Sequence, residues 1–122
     1  MTRIRFYIGT VCSYSSRAES GTGHPLRHYR VGKEAWQAIE AELVKTFGGW
    51  TLYYARGAWG SMVEDSRVYE ALTPEEFPAD SLRALTREWT QLTGQESILW
   101  TQESVQGEFV SMAPPRVTMH SY

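Results

Sequence analysis

The sequence predicts an α+β fold of the ferredoxin-like, split βαβ type, β-α-β-β-α-β, with an added C-terminal strand and tail. Three observations predict it. Residues 3–10 alternate between apolar and polar. Apolar side chains recur at helical spacing in two later stretches. A glycine follows each of those stretches.

In the first strand, Ile4, Phe6 and Ile8 share one face, and Arg3, Arg5 and Tyr7 share the other. Residues 11–30 have no period and read as a long loop, the kind that usually carries function. From Lys33, the positions of Trp36, Ile39, Leu43 and Phe47 predict a helix that Gly48 and Gly49 stop. Residues 50–55 are rich in strand-forming aromatics and predict a second strand. Residues 56–65 read as a glycine-flanked loop that sets Arg56 beside Trp59. Residues 66–72 predict a third strand. The ten-residue connection is too short for a parallel crossover, so strands two and three form a hairpin. Residues 73–76 read as a short helical start that Pro78 breaks. Asp80 is placed to cap a second long helix, with Leu82, Leu85, Trp89 and Leu92 as its buried stripe and Gly94 as its end. Residues 97–101 predict a fourth strand. A turn near Gly107 leads to a fifth at 108–112, and Pro114-Pro115 ends regular structure.

The whole of 1–122 therefore reads as one domain, long enough to bury a core. Two helices cover one sheet face. Tyr7, Tyr53, Tyr69 and Leu99 are expected on the other, an aromatic face that suits a second subunit. The expectation is a homo-oligomer built from dimers, a hexamer among the forms open to it, with the tail at 113–122 lying across a neighbour.

Hydrophobic residues make up 42% of the chain, which argues against disorder. No apolar run approaches membrane-spanning length, and no signal-peptide core precedes the first strand. Cys12 is the single cysteine, so the expected compartment is the cytoplasm. A net charge of −2 argues against a duplex nucleic acid partner. Of the 12 basic residues, 10 are arginine, the side chain suited to bidentate phosphate recognition, although GC-rich codon usage gives the same bias. Five tryptophans and seven tyrosines are many for so small a core, which points to rings at an interface or a ligand site.

No catalytic centre emerges. His24 and His28 are four apart, but Pro25 opposes a helix there, and no third ligand completes a metal shell. Cys12 has no histidine partner by spacing, and Ser13, Ser15 and Ser16 lie in no nucleophile elbow. Glu64-Asp65 reads as a solvated hairpin turn. P-loop and dinucleotide patterns are absent, and Gly21-Thr22-Gly23 is only a fragment of a phosphate loop. No metal and no cofactor are expected. Binding-type groups remain: Arg56, Gly57, Trp59, Arg116, and the polar stretch Gln95-Glu96-Ser97. Gln95 and Ser97 can read base or ribose edges, or simply bond the turn after Gly94. Trp100 can stack a base, but core is the stronger reading.

The segments FYIGT, FGGWTL, ARGAWG, EDSRVYEAL and TGQESILW together resemble the Thoeris anti-defence sponge proteins of phages. The resemblance covers roughly residues 5–101, as scattered short motifs. It implies a non-enzymatic protein that binds and sequesters nucleotide immune signals, cyclic ADP-ribose isomers such as gcADPR and cyclic oligonucleotides, without cleaving them. It implies a dimer-based oligomer in the host cytoplasm, with ligand at subunit junctions. Arg56 matches the family's basic turn position, and Arg116 lies where the family has phosphate-clamping arginines. Trp89 and Trp59 are the candidates for an adenine platform. The same motif order is similar to a family of small uncharacterised bacterial envelope proteins, which usually carry an export signal. The alternative reading is a ferredoxin-like oligomeric enzyme acting on a nucleotide or other small substrate.

Overall fold

The computed structural model describes residues 1–12 and 29–113, without the side chains of Cys12 and Tyr29. The expectations placed on Ser13, Ser15, Ser16, Gly21 to Gly23, His24, His28, Arg116 and the 114–122 tail, and on the Cys12 thiol, lie outside the described residues.

The elements are β1 (Thr2–Gly9), β2 (Val11–Cys12), β3 (Tyr29–Arg30), α1 (Lys33–Phe47), β4 (Thr51–Trp59), β5 (Met62–Thr73), α2 (Ala79–Thr93) and β6 (Leu99–Ser104). Together they make an α+β structure with a four-stranded sheet ordered β4-β5-β1-β6, every neighbour antiparallel. The two short strands β2 and β3 pair with each other.

Both helices cover the sheet face that carries Ile4, Phe6 and Ile8. All three side chains are fully buried, against Trp36, Ile39 and Leu43 of α1 and Leu82, Leu85 and Trp89 of α2. Helical spacing makes those stripes, but Leu92, expected in the second of them, is exposed near the end of α2. Each helix ends on a left-handed glycine, Gly48 after α1 and Gly94 after α2. Tyr69 joins this core, contrary to the expected outward position. It is in register with Phe6, so strand alternation turns both rings inward. Trp100, also in register with Phe6, packs at the core edge.

The largest departure is the hairpin. Residues 56–65 are not a loop. Arg56 pairs with Asp65, Gly57 with Glu64 and Trp59 with Met62, leaving Gly60-Ser61 as a two-residue turn. Gly60 takes φ 63°, the geometry that a II′ hairpin asks of its first central residue. The ladder therefore runs past the core as an arm with both faces largely exposed.

Three smaller expectations also fail. Residues 108–112 form no strand. Backbone bonds between Met1 and Val105 close the β1–β6 ladder, and Phe109 and Val110 beyond it are exposed with no strand beside them. Residues 73–76 form no helical turn. Asp80 is not the cap. Pro78 holds that position, and Asp80 sits in the first turn, where its carboxylate accepts a hydrogen bond from Arg83 at 2.6 Å.

Candidate functional site

Strand alternation decides what the arm can do. Arg56 and Trp59 are three residues apart on one strand, so their side chains leave on opposite faces. The expected pairing of guanidinium and indole in one loop does not occur. Each belongs to a different cavity.

Arg56 lines a cleft of about 830 Å³ on the helix side of the sheet, between the arm, the start of α1 and the β3 exit. Among the described residues four cations border it, Arg30, Lys33, Arg56 and Arg67, against two carboxylates, Glu40 and Asp65. Arg56 itself is loosely held: its Nε lies 3.8 Å from Asp65, and 78% of its side chain is exposed. Arg67 is the organised group. Its guanidinium carbon sits 4.3 Å from the Trp36 ring centroid and 5.7 Å from that of Tyr54, the residue directly across the ladder. Its Nη1 donates to the Tyr69 hydroxyl at 3.0 Å, and that hydroxyl donates to Glu40 Oε2 at 2.7 Å. Arg67 and Glu40 form an ion pair at 3.5 Å. The guanidinium thus sits over one ring, within cation–π reach of a second, with a hydroxyl and a carboxylate oxygen beside Nη1.

The same network perturbs Tyr69. Burial, then the hydrogen bond to Glu40, raises its phenol far above the ordinary value, and the Arg67 charge opposes this only in part. The folded chain therefore keeps the proton where an unfolded tyrosine, near pH 10, has lost it. Stability is full below about pH 10 and falls as pH rises beyond it. Tyr69→Phe is expected to remove that alkaline decline. Urea denaturation of both proteins on either side of pH 10 checks this, and parallel declines would refute it.

The second cavity, of about 230 Å³, opens on the sheet face that neither helix covers, the uncovered face. Trp59, Gln95 and Ser97 of the expected set line it, with Tyr7, Glu64, Glu96 and Leu99. Gly57 stands in the ladder opposite Glu64, beneath the Trp59 indole, whose Nε1 lies 3.3 Å from where a Cβ on residue 57 would be. Further along, the uncovered face is charged. Arg5 Nε donates to Glu70 at 2.9 Å, and Arg3 pairs with Glu103. Tyr53, Leu99, Trp59 and Met62 leave large apolar surface exposed on this face.

Trp89 belongs to neither cavity. It is 1% exposed and meets Phe6 edge-to-face at 4.8 Å, so it offers no ring face to a ligand. Among the described residues, no group of three or more His, Cys, Asp or Glu side chains is placed to hold a metal. Among the described residues, no helix is long and apolar enough to cross a membrane.

The cleft's best-ordered residues were not singled out from sequence. A signal existed: Arg67 sits two residues before Tyr69 and shares its inward face. A charge in an inward register position needs partners. No protein-family model matches the chain, and no curated protein or solved structure is detectably similar to it.

Proposed function

We propose that the chain is a binding protein that captures a phosphorylated, base-containing small molecule in the Arg67 cleft and leaves its covalent bonds intact. The observation that carries this is the hydrogen-bonded Arg67 over the Trp36 ring, in a cleft where, among the described residues, cations outnumber carboxylates by four to two. A cleft of about 830 Å³ is within the range of small-molecule sites, roughly 300–1,000 Å³. Lys33, Arg30 and Arg56 border the same cleft and supply cationic donors suited to phosphate oxygens. Tyr54, 75% exposed beside Arg67, offers a ring to a base. Sub-micromolar capture needs on the order of 8–12 kcal/mol. Charge-assisted bonds at about 1.5–3 kcal/mol each and one stacked base at about 1–3 kcal/mol reach that range.

The sponge resemblance gives the ligand class: cyclic ADP-ribose isomers such as gcADPR, with cyclic oligonucleotides as the second class. The proposed setting is the cytoplasm of a phage-infected cell, and the proposed role is anti-defence. The strand order β4-β5-β1-β6 with both helices on one face supports the ferredoxin-like reading of the fold. The exposed apolar side chains of the uncovered face support a dimer as the unit of a homo-oligomer.

Calorimetry with gcADPR and with a cyclic trinucleotide is expected to give saturable heat for one of them, and heat denaturation is expected to return that ligand intact. Flat traces for both ligands would end the proposal, and a recovered hydrolysis product would move the chain to the enzyme reading. Arg56→Ala is expected to weaken binding by only about 1 kcal/mol, because so exposed a charge is screened. The loss should shrink further as salt is raised in the same titrations.

A further inference from the structure

We propose that the smaller cavity on the uncovered sheet face is a second binding site, one that takes a small planar cation of the amidinium or guanidinium type. The inference does not rest on the nucleotide reading. The two cavities lie on opposite faces of the sheet, and their described linings differ in charged residues.

Space comes first. Gly9 and Ser66 are ladder partners, and so are Ser66 and Ala55, while Gly57 faces Glu64 one step outward. Small residues on neighbouring strands leave a depression in the sheet. Side chains from elsewhere overhang it. A Cβ on residue 9 would lie 2.6 Å from Gln95 Oε1 and 2.9 Å from Glu64 Oε2, closer than real contacts allow. Two acceptor oxygens thus converge on one small volume above Gly9.

Unmet hydrogen bonding comes second. Gln95 is 3% exposed. Its Nε2 donates to the Val11 carbonyl at 2.5 Å, and only the nitrogen can face that acceptor, which fixes the orientation of the amide. Oε1 is thereby turned toward the cavity, and among the described residues no donor reaches it. A buried acceptor without a donor is costly, so a donor brought by a ligand relieves it. Among the described residues the lining sets the Glu64 carboxylate beside this acceptor and holds no Lys or Arg, so the favoured donor is cationic.

Shape comes third. A volume of about 230 Å³ excludes a nucleotide but admits a one-ring molecule. Trp59 supplies an indole wall that is 53% exposed. A planar cation with several N–H groups in one plane can donate to Gln95 Oε1 and the Glu64 carboxylate while its face lies on the indole.

Benzamidine is the probe and benzamide its neutral isostere. Tryptophan indole N–H resonances of the full chain are followed by NMR during titration, with Trp59 assigned through Trp59→Phe. Benzamidine is expected to shift the Trp59 resonance saturably, with a Kd below about 1 mM, and benzamide to leave it in place. Glu64→Gln, at a partly exposed position that should leave folding alone, is expected to weaken benzamidine at least about tenfold. Gly9→Ala should abolish the shift if that protein folds. No Trp59 shift, an equal response to benzamide, or undiminished affinity in Glu64→Gln would each overturn the proposal.

Discussion

Trp89→Ala is expected to cost about 3–5 kcal/mol of stability, the range for emptying a large aromatic site in a core. Trp89 is the largest of the fully buried side chains and holds Phe6 edge-to-face. Beside it, Phe6 also meets Phe47, and Phe47 meets Phe77, so the indole anchors an aromatic row that runs from α2 to the far end of α1. A domain of this size has only about 5–15 kcal/mol in total. The urea midpoint should therefore fall steeply, and Trp89→Phe should recover part of the loss. A platform for adenine would behave otherwise: alanine would spare the fold and weaken nucleotide binding. An unchanged midpoint would remove Trp89 from the core.

Arg67→Ala is the second large effect, and it acts on stability and binding together. Removing the guanidinium leaves the Glu40 carboxylate beside the Tyr69 hydroxyl without its cation, and it bares the Trp36 ring. The pair is only partly buried, so about 1–3 kcal/mol of stability is expected to go. Nucleotide affinity should drop by about 2–3 kcal/mol, more than for Arg56→Ala, because Arg67 is already oriented when the ligand arrives. Arg67→Lys separates charge from shape. It keeps the cation but loses the planar fork over Trp36, so it should restore stability better than binding. Calorimetry and urea denaturation on the three proteins check this. Unchanged affinity in Arg67→Ala would place the ligand elsewhere.

Where sequence reading succeeded, the cause was local. Four apolar positions at helical spacing, then Gly48, gave α1 at its observed bounds. Ile4, Phe6 and Ile8 gave β1 through plain alternation. The arm was missed because it extends beyond the core. Tyr54, Arg56 and Ala58 alternate with Ala55, Gly57 and Trp59, and neither set is clearly apolar, since neither face is buried. Residues 108–112 erred the other way. Phe109 and Val110 favour strand locally, but propensity without a neighbouring strand makes no ladder. The cleft was only half legible. Arg56 announced itself through its glycine neighbours, whereas the union of Trp36 with Arg67 joins a helix to a strand 31 positions away, and spacing carries no sign of it.

The hydrogen bonds between Met1 and Val105 span 104 positions of the chain, while the β4–β5 arm closes through two residues. Loop-closure entropy separates these events in time. The arm is expected to zip early and β6 to pair after it, an order that pulsed hydrogen exchange during refolding would read. Before β6 pairs, that flank of β1 would be an unpaired edge, the place where mispairing is expected to be easiest.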